Sequence, residues 1–167
     1  MQIIGGAATD MNLLQSNSGQ YRNEDFAVGA NTAFIKGQSQ GATASNYSHM
    51  QLYNPVGSGV SIIIDGVYVS VSAATYAMFR SLSTELTTSL GSWDSKLMAQ
   101  PDGNGVIRRE ANVAQLGTAM YSIELLANEV FSYKPQSPII LPAGQSLTIT
   151  TNLVNVTLSA TFEGREV

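Results

Sequence analysis

Five groups of residues have the types and spacing from which chemistry could be built. The first is Gly37–Gln–Ser39–Gln–Gly41, a match to the G-x-S-x-G pattern of serine hydrolases. That pattern works when a strand delivers the serine, a helix follows it, and an acid and a histidine come later in the chain. Here the next residues are Gly41, Ala42, Thr43, Ala44, Ser45 and Asn46, poor helix material. The single histidine, His49, stands ten positions on with no acid between. The stretch therefore reads as a turn. One histidine and no cysteine also fall short of a zinc site or a cupin-type metal site, which need several nitrogen or sulfur ligands, so His49 reads as a strand residue satisfied by hydrogen bonds.

The remaining groups are oxygen-rich or aromatic. Asp102-Gly-Asn104-Gly begins like a calcium loop, but Val106 and Ile107 stand where further oxygen ligands and a glycine are needed. It reads as a tight surface turn. Glu24-Asp25 are adjacent, and Glu163 and Glu166 straddle Arg165. Neither spacing sets up an acid/base pair, and the second suggests salt bridging at an interface or at the end of the chain. Trp93, the only tryptophan, lies in GSWDS. An indole there stacks on a sugar, anchors a subunit contact, or plugs the end of a fold. No catalytic, cofactor or metal-binding set emerges, so the residues point to a protein without enzymatic activity.

The elements around these groups are strands. Val154, Val156, Leu158, Ala160 and Phe162 alternate with Asn155, Thr157, Ser159, Thr161 and Glu163, the period of a strand with one face on a core. Before it, Pro138–Thr151 (PIILPAGQSLTITT) reads as a short apolar strand, a turn at 142–144 and a strand with Leu147 and Ile149 inward. Val60, Ile62 and Ile64, then Asp65-Gly66, then Val67, Val69 and Val71 predict a hairpin, because Asp-Gly tolerates the positive φ of a tight turn. Strands are also expected over 32–36, 47–53, 106–110 (an edge strand) and 119–125. Within the loop 91–105 a short strand is expected near 96–99. Residues 73–90 fit a strand over 75–83, with a short helix as the competitor. Asn54-Pro55 ends the strand at 47–53 because proline donates no ladder hydrogen bond.

Seven to nine short strands without long helices predict an all-β fold, an antiparallel β-sandwich of jelly-roll type over residues 26–167. Residues 1–25 sustain no period and read as an extended N-terminal arm. Ile3, Ile4, Met11, Leu13, Leu14 and Tyr21 are its apolar side chains. It is either a frayed terminus or an arm that docks on a neighbouring subunit. Docking would gain ~1.5–3 kcal/mol per buried side chain before ordering costs. These six residues and Trp93 are the candidate subunit contacts.

Composition narrows the partners. Charged residues make up 12% of the 167 and hydrophobic ones 44%, against a usual charged share of about a quarter. Ser, Thr, Asn, Gln and Gly fill the difference, which suits strands and a surface covered by neighbours. The net charge is −4, and Arg108-Arg109 is the only adjacent basic pair, so nucleic acid is not an expected partner. No basic residue precedes Arg22 and no apolar run approaches a membrane span. We expect neither a secretory signal nor a membrane, and synthesis in a cytoplasm.

The C-terminal residues carry a resemblance. Ile139, Ile140, Leu141, Pro142, Gly144, Leu147, Phe162, Glu163, Arg165 and Glu166 follow the scheme of the last hairpin of small β-sandwich proteins in tailed-bacteriophage particles. The likeness extends to QLYNPVGSGVSIIIDGVYVSVS at 51–72. It implies a virion structural protein, either a capsid decoration (cement) protein or a tail, collar or baseplate attachment protein that binds a glycan or receptor. A decoration protein would sit as a homodimer or homotrimer on the major capsid protein or other virion proteins, with the arm crossing to a neighbour. An attachment protein would use Trp93, Tyr47 or Tyr53 as stacking platforms.

Overall fold

The computed structural model describes residues 33–97 and 99–167. The expected arm, including Ile3, Ile4, Met11, Leu13, Leu14 and Tyr21, lies outside the described residues. Twelve strands follow in order: β1 (Ala33–Gln40), β2 (Tyr47–Tyr53), β3 (Ile62–Val71), β4 (Thr75–Leu82), β5 (Thr88–Ser92), β6 (Asp94–Ser95), β7 (Val106–Asn112), β8 (Thr118–Leu125), β9 (Val130–Tyr133), β10 (Ile139–Leu141), β11 (Ser146–Thr151) and β12 (Leu158–Glu166). All their pairings are antiparallel. Two sheets result. One runs β10-β3-β12-β1-β6, with β9 also on β3, and the other runs β5-β7-β2-β11-β4-β8. The fold is therefore all-β, two antiparallel sheets packed as a sandwich.

The pairings are nested. β1 meets β12, β2 meets β11, β3 meets β10 and β9, and β4 meets β8. Strands β5 to β7 stand outside this scheme. β7 and β5 extend the second sheet beyond β2, and β6 extends the first beyond β1.

Between the sheets lies the apolar core, built from alternate residues of each strand. It includes Met50, Leu52, Ile62, Ile64, Val67, Val69, Phe79, Ile107, Leu147, Ile149, Leu158 and Phe162. The last strand starts later than the alternation predicts. Val154 is exposed, Asn155 has a φ of 58°, and burial begins at Val156.

Asp65-Gly66 does not turn the chain. β3 runs straight through it, and the register with β12 shifts between Glu163 and Gly164, leaving Asp65 as an extra residue. Ile62 and Ile64 are out of phase with Val67, Val69 and Val71 by one residue. A two-residue turn repairs that shift, and so does a β-bulge. Pairing along all of β12 selects the bulge. Likewise 139–166 is no local hairpin, because β10 and β12 lie in one sheet and β11 in the other.

Other expectations shift in the same way. Gly37–Gln40 is strand, not turn, since β1 pairs with β12 as far as Gln40↔Leu158. It was hidden because the residues opposite Phe162, Ala160 and Leu158 are Lys36, Gln38 and Gln40, so its inner face lacks the apolar half of the period. Residues 73–90 hold no helix; β4 and β5 lie there. A short strand is expected near 96–99, but the one in this loop is β6, at 94–95, and Lys96 and Leu97 lie beyond its end. β7 is an interior strand between β5 and β2, not an edge, and β9, at 130–133, falls where no strand is expected.

Candidate functional site

The hypothetical nucleophile and the histidine are structural. Ser39 pairs with Ser159 inside β1, with no helix after it. His49 is fully buried on β2. Its Nδ1 lies 3.2 Å from the Tyr47 carbonyl, and its Nε2 accepts the Leu116 N–H at 3.2 Å. The ring is therefore neutral, with the proton on Nδ1. Burial pushes its pKa down, against the hydrogen bonds at Glu110 and Tyr47 and the Glu110 charge. Among the described residues no group of three or more His, Cys, Asp or Glu is placed to hold a metal ion.

His49 belongs to a polar layer on the outer face of the second sheet. Two loops cross that face, and strand side chains satisfy their backbones. Gln51 donates to the Thr84 carbonyl and accepts from the Leu86 N–H, each at 2.9 Å. Arg80 donates to the carbonyls of Leu116 and Gly117. This explains why β2 is buried on both faces although only one is apolar, and why Tyr53 offers no stacking platform.

Trp93 is a plug. It lies at the corner where the chain leaves β5 in one sheet and enters β6 in the other. Its ring is fully buried and stacks on Phe34 with centroids 5.3 Å apart. The indole Nε1 donates to Glu166 at 2.8 Å, and the same carboxylate accepts the N–H groups of Asn104 and Gly105 and the Asn104 amide. Trp93 is thus removed from the candidate sugar platforms and surface anchors. Asp102–Gly105 is its cradle rather than a free surface turn. A Cβ at Gly103 would collide with the Trp93 nitrogen.

The straddled charges of the C-terminus each tie β12 to a neighbour. Glu163 pairs with Lys96 and accepts from Tyr68. Arg165 donates to Asp65 at 2.6 Å, and Glu166 holds Trp93. Burial raises the Glu163 pKa, but the Lys96 hydrogen bond and charge, with the Tyr68 hydroxyl, outweigh it and hold the carboxyl below its usual value.

What remains available is on the surface, and it is uneven. One side of the sandwich is closed by the β5–β6 corner. On the opposite side β8 ends the second sheet and β9 and β10 end the first. The gap between them is bridged by rings: Phe79 and Tyr121 flank Tyr133 at 4.9 and 5.6 Å. Around these rings Met120 is 55% exposed, Tyr121 47%, Leu126 62% and Val130 68%. β8 itself has eight residues, carries one charge (Glu124), and among the described residues pairs on one side only. An edge strand of that kind presents a row of free N–H and C=O groups beside apolar side chains. The apolar periodicity at 119–125 locates this strand; its edge position has no local signal.

A second surface feature is a polar cleft of about 530 Å³ at the end of β1, lined by Gln40, Thr43, Thr87, Thr88, Arg109 and Glu110 among others. Comparisons with protein-family models, with curated proteins and with solved structures each found no match.

Proposed function

We propose that this chain is a structural protein of a tailed-phage particle, most plainly a capsid decoration protein of the jelly-roll class. It would be made in the host cytoplasm and held on the virion by protein contacts, with the major capsid protein or other virion proteins and with further copies of itself. The nested pairing supports the jelly-roll reading. Two antiparallel stretches, β1–β4 and β8–β12, form one long ribbon wound into two sheets. Strands β5–β7 are then an insertion at the ribbon's tip, folded back over the β1 and β2 edges.

The observation that carries the assembly role is the open side at β8. A monomer with 12% charged residues that leaves an apolar edge strand bare is poorly protected against association. A subunit that covers that edge with a neighbour has no such problem. In this reading the arm at 1–25 crosses to an adjoining subunit and adds contact area across capsid seams.

The test is copy number. Quantitative mass spectrometry of purified particles should find hundreds of copies. A dozen or fewer would move the protein to a tail, collar or baseplate position, and its absence from particles would refute a virion role.

The polar cleft favours a second reading, a glycan- or receptor-binding attachment module. With Trp93 and Tyr53 buried, such a site would rest on Gln40, Thr87, Thr88 and Arg109. A glycan array comparing the native chain with Arg109→Ala separates the two readings.

A further inference from the structure

We propose that β8 is the seam of a two-fold homodimer in which two copies pair antiparallel, Ile123 opposite Ile123. This rests on the assembly reading above and names the surface and the partner. The first support is that, among the described residues, no element covers or pairs with this edge. Natural edges are blunted by short length, charge, proline or bulges. β5, at the far end of the same sheet, has five residues and a register break, and β6 has two. β8 has eight residues and no proline. Its one irregularity against β4 falls where Phe79↔Tyr121 is followed by Arg80↔Ala119, which leaves Met120 unpaired. Tyr121–Leu125 remains a regular run.

The second support is self-complementarity, which a two-fold interface demands. With Ile123 on the axis, Tyr121 meets Leu125 of the second copy. Met120 meets Leu126, so the two exposed apolar residues flanking the regular run cover each other. Glu124 meets Ser122, so the strand's one charge does not oppose its own counterpart, an arrangement that costs energy when like charges face directly. A pairing one residue out of this register turns each strand's faces over. The alignment joins the two six-stranded sheets edge to edge and continues the inner apolar face across the seam. It also brings the two Tyr121–Tyr133 pairs to the same interface.

The chain has no cysteine, which makes a clean test. Ser122→Cys and Glu124→Cys are substitutions at exposed positions. In the proposed register residue 122 lies directly opposite 124 of the other copy, within disulfide reach, whereas 122 is diagonal to 122 at about 7–8 Å. Oxidising a mixture of the two single variants should give a disulfide-linked dimer, while each variant alone should stay uncrosslinked. Light scattering on the full chain at about 100 μM should report a dimer. Met120→Lys with Leu126→Lys should shift it to monomer, with the circular dichroism spectrum unchanged. A native chain that is monomeric or trimeric at that concentration, a dimer indifferent to the two lysines, or cross-linking of one cysteine variant alone would overturn the proposal. A monomer that still occupies particles would sink this seam and leave the virion role standing. A dimer absent from particles would do the reverse.

Discussion

The two sides of the sandwich solve the same problem differently. A pair of packed sheets has edges, and each edge bares backbone groups and a slot into the core. At the β5–β6 side the chain crosses from one sheet to the other, and Trp93 fills the slot. Its nitrogen is held by Glu166, its ring stacks on Phe34, and Gly103, Gly105 and Gly164 lie close against it. At the β8 side no strand crosses among the described residues. Three aromatic rings span the gap, and large apolar side chains stand in solvent. The segment β5–β7 accounts for the difference, because its strands extend both sheets on one side only. In the proposed assembly stability and association would be separated in space: the side sealed by Trp93 holds the fold, and the side at β8 would be the one covered by a neighbour.

The sharpest break in that contrast is Trp93→Ala. Emptying a fully buried indole site should cost about 3–5 kcal/mol, which lowers the melting temperature by on the order of 10 °C. Calorimetry showing a loss under 1 kcal/mol would mean the sealed side does not hold the fold. Glu166→Ala comes next. It strands the Trp93 and Asn104 donors and should cost about 2–3 kcal/mol in urea unfolding. Glu166→Gln should recover part of that, since one oxygen still accepts.

Acid should act on the covering loops before it acts on the ion pairs. The folded state holds the His49 pKa below 6.5, so its contribution is complete above pH 6.5 and is lost as pH falls through the lowered value. Protonation replaces the acceptor of the Leu116 N–H with a second donor. The depressed Glu163 pKa adds a second loss below 4.5. Unfolding free energy measured from pH 7 to 5 should decline for the native chain and stay flat for His49→Gln; equal slopes would exclude His49 as the sensor. The smallest effect is expected on the open side. Met120→Lys and Leu126→Lys should each change monomer stability by less than about 0.5 kcal/mol, and a larger loss would show that this side carries the fold as well.

The candidate site was only partly legible. Alternation at 119–125 placed the β8 strand, and the turn residues around 54–55 and 142–144 placed the end of β2 and the start of β11 in the same sheet. Trp93 in a polar, glycine-rich stretch reads as a loop residue, because the groups that bury it are far away in sequence. Glu166 is 73 positions on, and Phe34 belongs to the first described strand. The arm residues gave apolar content without a period, so no local rule assigns them a face.

Local rules of pleat and backbone conformation settled what they can reach: a strand at 47–53, the alternation through Val154–Glu163, and the apolar faces of Ile62, Val69, Ile149 and Phe162, while 73–90 stayed open between a strand at 75–83 and a short helix. These depend on a two-residue repeat that any extended chain obeys. Whether Asp65-Gly66 bends into a turn or bulges within a strand, whether His49 and Gln51 face solvent or a covering loop, and which edge strand lacks a neighbour were decided by pairing over a hundred residues. A phase shift, a polar face and an unpaired ladder look alike in a one-dimensional chain until the partner strand is in place.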